Sequence, residues 1–549
     1  MSDAVPDPPR GGGDGRRRQR NERGPRLDPA AAGYFRRAAQ SLRAGLEPDN
    51  ERDLFVTNVL AEAEGWALPL ALDSSGSLLL QGLLPEASPA QLAGLLTPLL
   101  PALHQAASHP CGAHVLEAAL LRVPTLLGEE DAGPLEELVL QMGRAVKTEL
   151  GAFAKDPHAS FVVRTLLQVL GGARVGSDAA RGLPGSGPPT VPHRKGAGSQ
   201  GPTEFEVPAS FLALLQEVVT ALQEHLAELI THKVASLCLQ VALEVLHQKV
   251  PQACTELCKA VIGYLSSRNS AASCSPLLVF LKDPTCSRVL DKVLEVSEPR
   301  ALRALYRRHF RGQLQALAGH GVANFTLQRL IGAASPKLLG KVLAELGPGL
   351  EEVMAQGHPG VATALLGACR RHGAGQEEAL QLLMEAFHCW EPPARQMSCA
   401  PLFASLLAYE AYYKGQEEQP ALASVSLHGS LLLQHLLYFA DPSLVLHSLA
   451  ALPPRDLVTL ACSPSGSHIY DALLASPTVA HKPRRKVLRG LQGHYVSLAC
   501  NKHGSRVLDA IWSRASLPAK REIAQELGKN FLPFFSPHFQ PWLLSQSWE

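Results

Sequence analysis

The chain has 549 residues, 51 Lys+Arg against 50 Asp+Glu for a net charge of +1, 46% apolar residues and 5% aromatic residues. That length exceeds one hydrophobic core, so the chain must form several domains or one elongated array. The balanced charge excludes a globally basic nucleic-acid binder, and any such partner has to be read from local pattern.

Taken from the N-terminus, residues 1–28 carry Arg10, Arg16, Arg17, Arg18, Arg20, Arg23 and Arg26 among glycines and prolines. This composition stays solvated and suggests nuclear or nucleolar import, or a phosphate-binding arm. From about residue 30 to about 515, Leu- and Ala-rich segments of helical period recur without long Val/Ile/Thr runs, predicting an all-α chain. The most apolar stretch, Leu92 to Leu103, is short and broken by Pro98 and Pro101, so no membrane span is expected, nor any secretory signal. Eleven scattered cysteines without a C-x-x-C pair fit a reduced intracellular protein, soluble and cytosolic or nuclear.

A repeat organises the helical region. Leu460 to Leu473 aligns without a gap to Leu498 to Ile511, an offset of 38 residues. The shared frame is a small residue, then Ser or a substitute, then an apolar helical pattern. Its second position recurs at Ser77, Ala113, Ser160, Ser236, Ser287, Asn324, Val361, Ser430, Ser467 and Ser505, and five of the nine intervals fall at 36 to 38 residues. The longest interval holds a Gly/Pro/Ser/Thr-rich stretch at 171–208, expected to be a disordered insert. The 69-residue interval before Ser430 holds either a degenerate repeat or an elaborated hairpin.

The expected domains are therefore 1–28, a basic segment; 29–170, an N-terminal helix and repeats 1–3; 171–208, the insert; 209–527, repeats 4–10; and 528–549, a divergent tail. The fold class is an α-solenoid, curved into a C or U. Three prolines after Asn530 forbid a continuous helix there, and without a terminal cap the last full repeat would expose its apolar edge, so this end is expected to be less stable.

With Ser467 as position i, the side chains at i, i+1 and i+4 share a face, while Ile469, Tyr470, Leu473 and Leu474 lie on another. Stacked units would line these trios along one concave surface. The edge-reading pairs are Ser77 with Gln81, Ala113 with Glu117, Ser160 with Arg164, Ser236 with Gln240 and Ser287 with Asp291. Further pairs are Asn324 with Gln328, Ser430 with Gln434, Ser467 with Asp471 and Ser505 with Asp509. The middle positions are Leu78, His114, Phe161, Leu237, Arg288, Phe325, Leu431, His468 and Arg506, and six of these nine can stack on a base. Val361, Ala362 and Leu365 offer no reading group. The bland account of any one trio is a helix-capping serine and a solvated polar residue.

Ankyrin and tetratricopeptide signatures are absent. The Gly/Ala-Ser frame, with Gly33-Tyr34-Phe35-Arg36-Arg37, Phe161 to Leu170, Ala260 to Leu265 and His503 to Trp512, resembles the Pumilio repeat family and its nucleolar branch. That resemblance implies binding of precursor ribosomal RNA in small-subunit maturation, with pre-ribosomal proteins as partners and a nucleolar or nuclear address. Occupancy would control when a nuclease cuts. It also implies a code in which Asn with Gln suits uracil, Ser with Gln adenine and Ser with Glu guanine. Asp291, Asp471 and Asp509 are one methylene shorter than Glu, which points to a partial code with phosphate contacts. A HEAT-like protein scaffold is the rival, favoured by neutral charge and opposed by Ser and Gln at matched positions.

No nucleotide, hydrolase or metalloprotease motif is present, so neither a reaction, a cofactor nor a small-molecule substrate is expected. His109, Cys111 and His114 imitate metal spacing without a second ligand group, and Cys254 and Cys258 read as buried thiols. Lys482, Arg484, Arg485, Lys486 and Arg489 form a basic cluster able to anchor phosphates.

Overall fold

A computed structural model describes residues 26–45, 49–129, 131–174, 204–267, 276–414 and 420–531. Most of the basic N-terminal segment, most of the insert and the proline-rich tail after Phe531 lie outside the described residues. Within them the chain is helical, with one isolated β-bridge between Ala173 and Glu204 and no strand. Among the described residues no helix is long and apolar enough to cross a membrane.

The chain divides into two compact units, the boundary falling between Ala253 and Cys254. In the first, the frame helices are α1 (Pro29–Ala44), α2 (Ser74–Leu83), α3 (Pro110–Leu126), α4 (Ala159–Gly171) and α5 (Ser236–Lys249), each packed against the next. In the second they are α6 (Cys286–Val296), α7 (Ala323–Ala333), α8 (Pro359–His372), α9 (Leu427–Leu436), α10 (Ser467–Ala475) and α11 (Lys502–Arg514), again in consecutive contact. In most repeats from α2 onward a longer helix and a short one precede the frame helix, as Pro336–Leu346 and Leu350–Ala355 precede α8. The longer helices pack against one another as a second layer, as Pro89–Leu96 does on Gly133–Thr148.

Local chemistry explains the small residue before position i. At Gly504 a Cβ would lie 2.8 Å from the carbonyl oxygen of Leu498 in the preceding short helix. At Gly76 the same contact to Leu70 would be 2.5 Å. The short helix thus abuts the frame helix where only hydrogen fits. Apolar residues at i+2, i+3, i+6 and i+7, such as Ile469, Tyr470, Leu473 and Leu474, are buried against the neighbouring helices.

The 69-residue interval is an elaborated repeat. Its short helix, Cys399–Ser405, packs on α9, and the extra chain lies between the two. There His388 bridges Glu410 (2.7 Å) and Glu351 (2.9 Å), and those carboxylates raise its pKa. At the insert, Phe205 N donates to Gly172 O (3.0 Å), so the described flanks of the insert are pinned together.

Candidate nucleic-acid interface

A position that sequence reading passed over sets most of the frames. Four residues before position i, in every frame but those of α8 and α9, stands a side chain that caps the helix. Asp73, Asp156 and Asp283 accept from two backbone amides each through a carboxylate oxygen, and Asn501 does so through its amide oxygen. His109, His232 and His320 accept through Nδ1, and Ser463 through its hydroxyl. The recurrence of Asp, His, Asn or Ser at this offset is legible in the sequence, and it is the N-cap signal. His109 is thereby occupied as a cap on Cys111 N (3.2 Å). Among the described residues no three His, Cys, Asp or Glu side chains group as a metal site.

Position i itself is turned inward. Ser77, Ser160, Ser236, Ser287, Asn324, Ser430 and Ser467 are all buried. The hydroxyls of Ser77, Ser160, Ser236, Ser467 and Ser505 donate to the carbonyl three residues back, at 3.1 to 3.4 Å. Ser430 donates to Ser465 O at 2.6 Å and accepts from Gln434 at 3.0 Å. Asn324 accepts from Gln328 at 3.0 Å. The expectation that both members of each pair face outward is therefore corrected: seven of the nine first members bond within the protein, and Ala113 and Ser287 are buried.

Two i+4 residues are also covered. Arg164 is 2% exposed, its guanidinium lies 4.1 Å from the Phe161 ring centroid, and its Nε donates to Ser160 O at 3.1 Å. Gln240 and Leu237 are buried as well.

The middle position is the exposed one. Phe325 is 59% exposed and Leu78 57%, and His114, Arg288, His468 and Arg506 are likewise open. Phe161 and Leu431 are half-buried. At i+4, Gln81, Glu117, Asp291, Gln328 and Gln434 are half-buried, while Asp471 and Asp509 are exposed. His468 holds Asp471 at 3.0 Å. His114 lies 3.4 Å from Glu117, whose pKa is raised by burial against the opposing pull of His114 and Arg164.

Burial pushes the Asp291 carboxyl up to about 6, with Thr326 and Arg329 opposing. A folded pKa above the unfolded value means that stability falls as pH rises from about 4 to about 6, then levels off. Asp291→Asn is expected to be more stable than the parent by on the order of 2 kcal/mol above pH 6, and equal near pH 4. Chemical denaturation at the two pH values checks this, and a gap that does not change with pH would reject it.

The repeat with no reading group is corrected in register. Val361, Ala362, Leu365 and Leu366 are buried, as are i+2, i+3, i+6 and i+7 elsewhere, so position i of α8 is Pro359. The matching pairs of apolar residues were the available signal. The residues on the open side of α8 are Gly360, Thr363, Ala364 and Gly367. Their small size leaves a groove of about 610 Å³ across α7, α8 and α9, walled by Phe325 and Gln328 on one side and His428, Leu431 and His435 on the other. Arg329 and Arg371 stand at its edge, Arg371 donating to Gly332 O at 2.7 Å. Arg370 stacks on Tyr438, 3.6 Å from the ring centroid. Burial, with Arg370 and Arg371 nearby, pushes His435 down to about 4, so the imidazole at the groove stays neutral at physiological pH.

In the basic cluster Arg484 is spent on structure, donating to Leu473 O, Ser476 O and Val479 O at 2.9 to 3.0 Å. Lys482, Arg485, Lys486 and Arg489 remain on the same helix, His481–Arg489.

The lateral stack of capped frame helices defines a Pumilio-type helical-repeat protein. Residues 65–531 match the family described as the NOP9-like PUF repeat domain, and the chain belongs to that family. It is 52% identical over 534 residues to Nucleolar protein 9 of Mus musculus, covering 92% of this chain and 84% of that protein. To Nucleolar protein 9 of Homo sapiens it is 50% identical over 545 residues, covering 94% and 85%. The solved structure of APUM23-GGAUUUGACGG superposes with a TM-score of 0.73 at 23% identity, over 95% of this chain and 96% of that one.

Proposed function

We propose that the chain binds single-stranded RNA on the frame helices of its units, acting as a binding protein without a reaction of its own. The observation that carries this is the open i+1 row of the second unit. Arg288, Phe325, His468 and Arg506 are exposed there at matched positions, with an open groove between Phe325 and Leu431. Flat or cationic side chains repeated in register are what stacking on successive bases requires. The structural relative's pairing with a uracil-containing sequence supports the same reading.

The relatives' name, Nucleolar protein 9, supports a nucleolar or nuclear address. Precursor ribosomal RNA and pre-ribosomal proteins as partners, and control of pre-rRNA cleavage in small-subunit biogenesis, are the finer part of this proposal and follow from the Pumilio resemblance alone. The division into segments 1–28, 29–170, 171–208, 209–527 and 528–549 belongs to the same proposal. So does assignment of the trio residues as RNA contacts, with the weight on i+1 and on the open i+4 residues.

Phe325→Ala tests it. The variant should melt as the parent does, because the ring is exposed. Its affinity for single-stranded RNA should fall about tenfold, the worth of one base stack. Unchanged affinity in a filter-binding titration would sink the frame-face reading. Background-level RNA recovery after crosslinking the parent in cells would point instead to a protein scaffold.

A further inference from the structure

The second unit carries a basic cradle away from the frame helices. Arg300 and Arg303 lie on the helix Pro299–Leu305, and Arg307 on the π-turn Tyr306–Phe310 that continues it. Lys337 and Lys341 lie on Pro336–Leu346, a second-layer helix of the next repeat. The spacings 300, 303, 307 and 337, 341 put each set on one face of its helix. All five side chains are exposed and line one pocket of about 420 Å³, which shares no residue with the groove at Phe325.

Five like charges converge in a chain whose net charge is +1. None of the five makes an ion pair among the described residues. The nearby acid is committed elsewhere: Glu345, one turn beyond Lys341, accepts from the buried Tyr306 hydroxyl (2.9 Å) and from Leu314 N (3.0 Å). Lys337 sits in the first turn of its helix, where the dipole disfavours a cation. Helix stability therefore does not account for its placement. An uncompensated cluster of this kind is relieved by an anion with several charges.

We infer that this cradle binds the phosphodiester backbone of RNA, as a second contact outside the frame face; the inference rests on the RNA-binding reading above. Three guanidinium groups in a row match phosphate geometry. Five of the seven residues lining the pocket are Arg or Lys, with only Tyr306 and Leu338 beside them, so recognition there is by charge.

The test compares the full chain with a variant carrying Arg300→Gln, Arg303→Gln, Arg307→Gln, Lys337→Gln and Lys341→Gln. The probes are a short single-stranded RNA and a hairpin RNA with a single-stranded flank, titrated over a range of salt. The variant should bind the short strand as the parent does, but lose about tenfold or more on the hairpin. Its plot of log affinity against log salt should become shallower by about 2 to 4, the release expected from a few phosphates. Arg300→Lys, Arg303→Lys and Arg307→Lys together should keep the slope, and matching melting curves show that the fold is intact. Equal hairpin affinity and slope in parent and Gln variant would overturn the cradle. Loss of polyglutamate binding with RNA binding unchanged would reassign it to an acidic protein. A parent that binds neither RNA would remove the functional reading itself.

Discussion

Arg164→Ala should destabilise the first unit by about 3 kcal/mol, the usual cost of removing one member of a buried charged pair. The guanidinium fills the space over Phe161 and donates to Ser160 O. Burial lowers the pKa of Arg164, while Glu117 in the neighbouring frame helix opposes that shift. Without it Glu117 keeps its hydrogen bond from Thr165 (3.4 Å) and the exposed His114, but loses its buried counter-charge. The Glu117 pKa, already raised by burial, would rise further. Since a raised carboxyl loses stability as pH increases through its folded pKa, the deficit of the variant should widen from acid toward neutral pH. Arg164→Met keeps most of the volume and should cost less. Urea denaturation of the three proteins across pH is the measurement. A loss that is flat with pH in both variants, and absent from Met, would show that the cation has no electrostatic role and that Arg164 acts by its volume alone.

Gly466→Ala is expected to cost about 2 kcal/mol for the addition of one methyl at a buried turn. The new Cβ would overlap Leu460 O, with Leu460 Cα and C only 3.0 and 3.1 Å away. All three atoms are backbone, so no side chain can rotate aside. The φ of Gly466 is −67°, so alanine meets no backbone strain there and the whole effect is steric. Thermal unfolding should show it. A melting temperature unchanged from the parent would mean that the short helix slides freely on α10, contrary to the packing described.

Much of the fold is legible in the residues. The alignment of Leu460 to Leu473 on Leu498 to Ile511 identifies the repeat, and its apolar positions are the ones the structure buries. The register of α8 was equally available, because Val361, Ala362, Leu365 and Leu366 repeat the spacing of Ile469, Tyr470, Leu473 and Leu474. Reading from the Gly-x pair rather than from the apolar pairs shifted it by two positions.

The direction of the serines was less accessible. A serine in the first helical turn has its own i−3 carbonyl within reach, and the sequence does not say whether a hydroxyl turns to that acceptor or to solvent. Arg164 reads as outward from its i+4 place in the frame, and arginine is rarely buried without a partner. The partners that cover it, Phe161 on its own helix and Glu117 in the preceding frame, are set by packing. The cradle at Arg300 and Lys337 joins residues from two repeats, and no single segment displays it.

The inward turn of the serine hydroxyls has a consequence for how such a protein ages alongside its target. Where a hydroxyl is already satisfied by its own helix, replacing one base by another breaks no bond to it. On the proposed RNA-binding reading, discrimination then rests on the open i+4 residues and on how well each base is sandwiched, and the sandwiching changes by degrees and not by all-or-none rejection. A target RNA could accumulate substitutions one at a time while each intermediate remained bound. Recognition of this kind tolerates drift in the partner, so retargeting it by exchanging serines alone would achieve little.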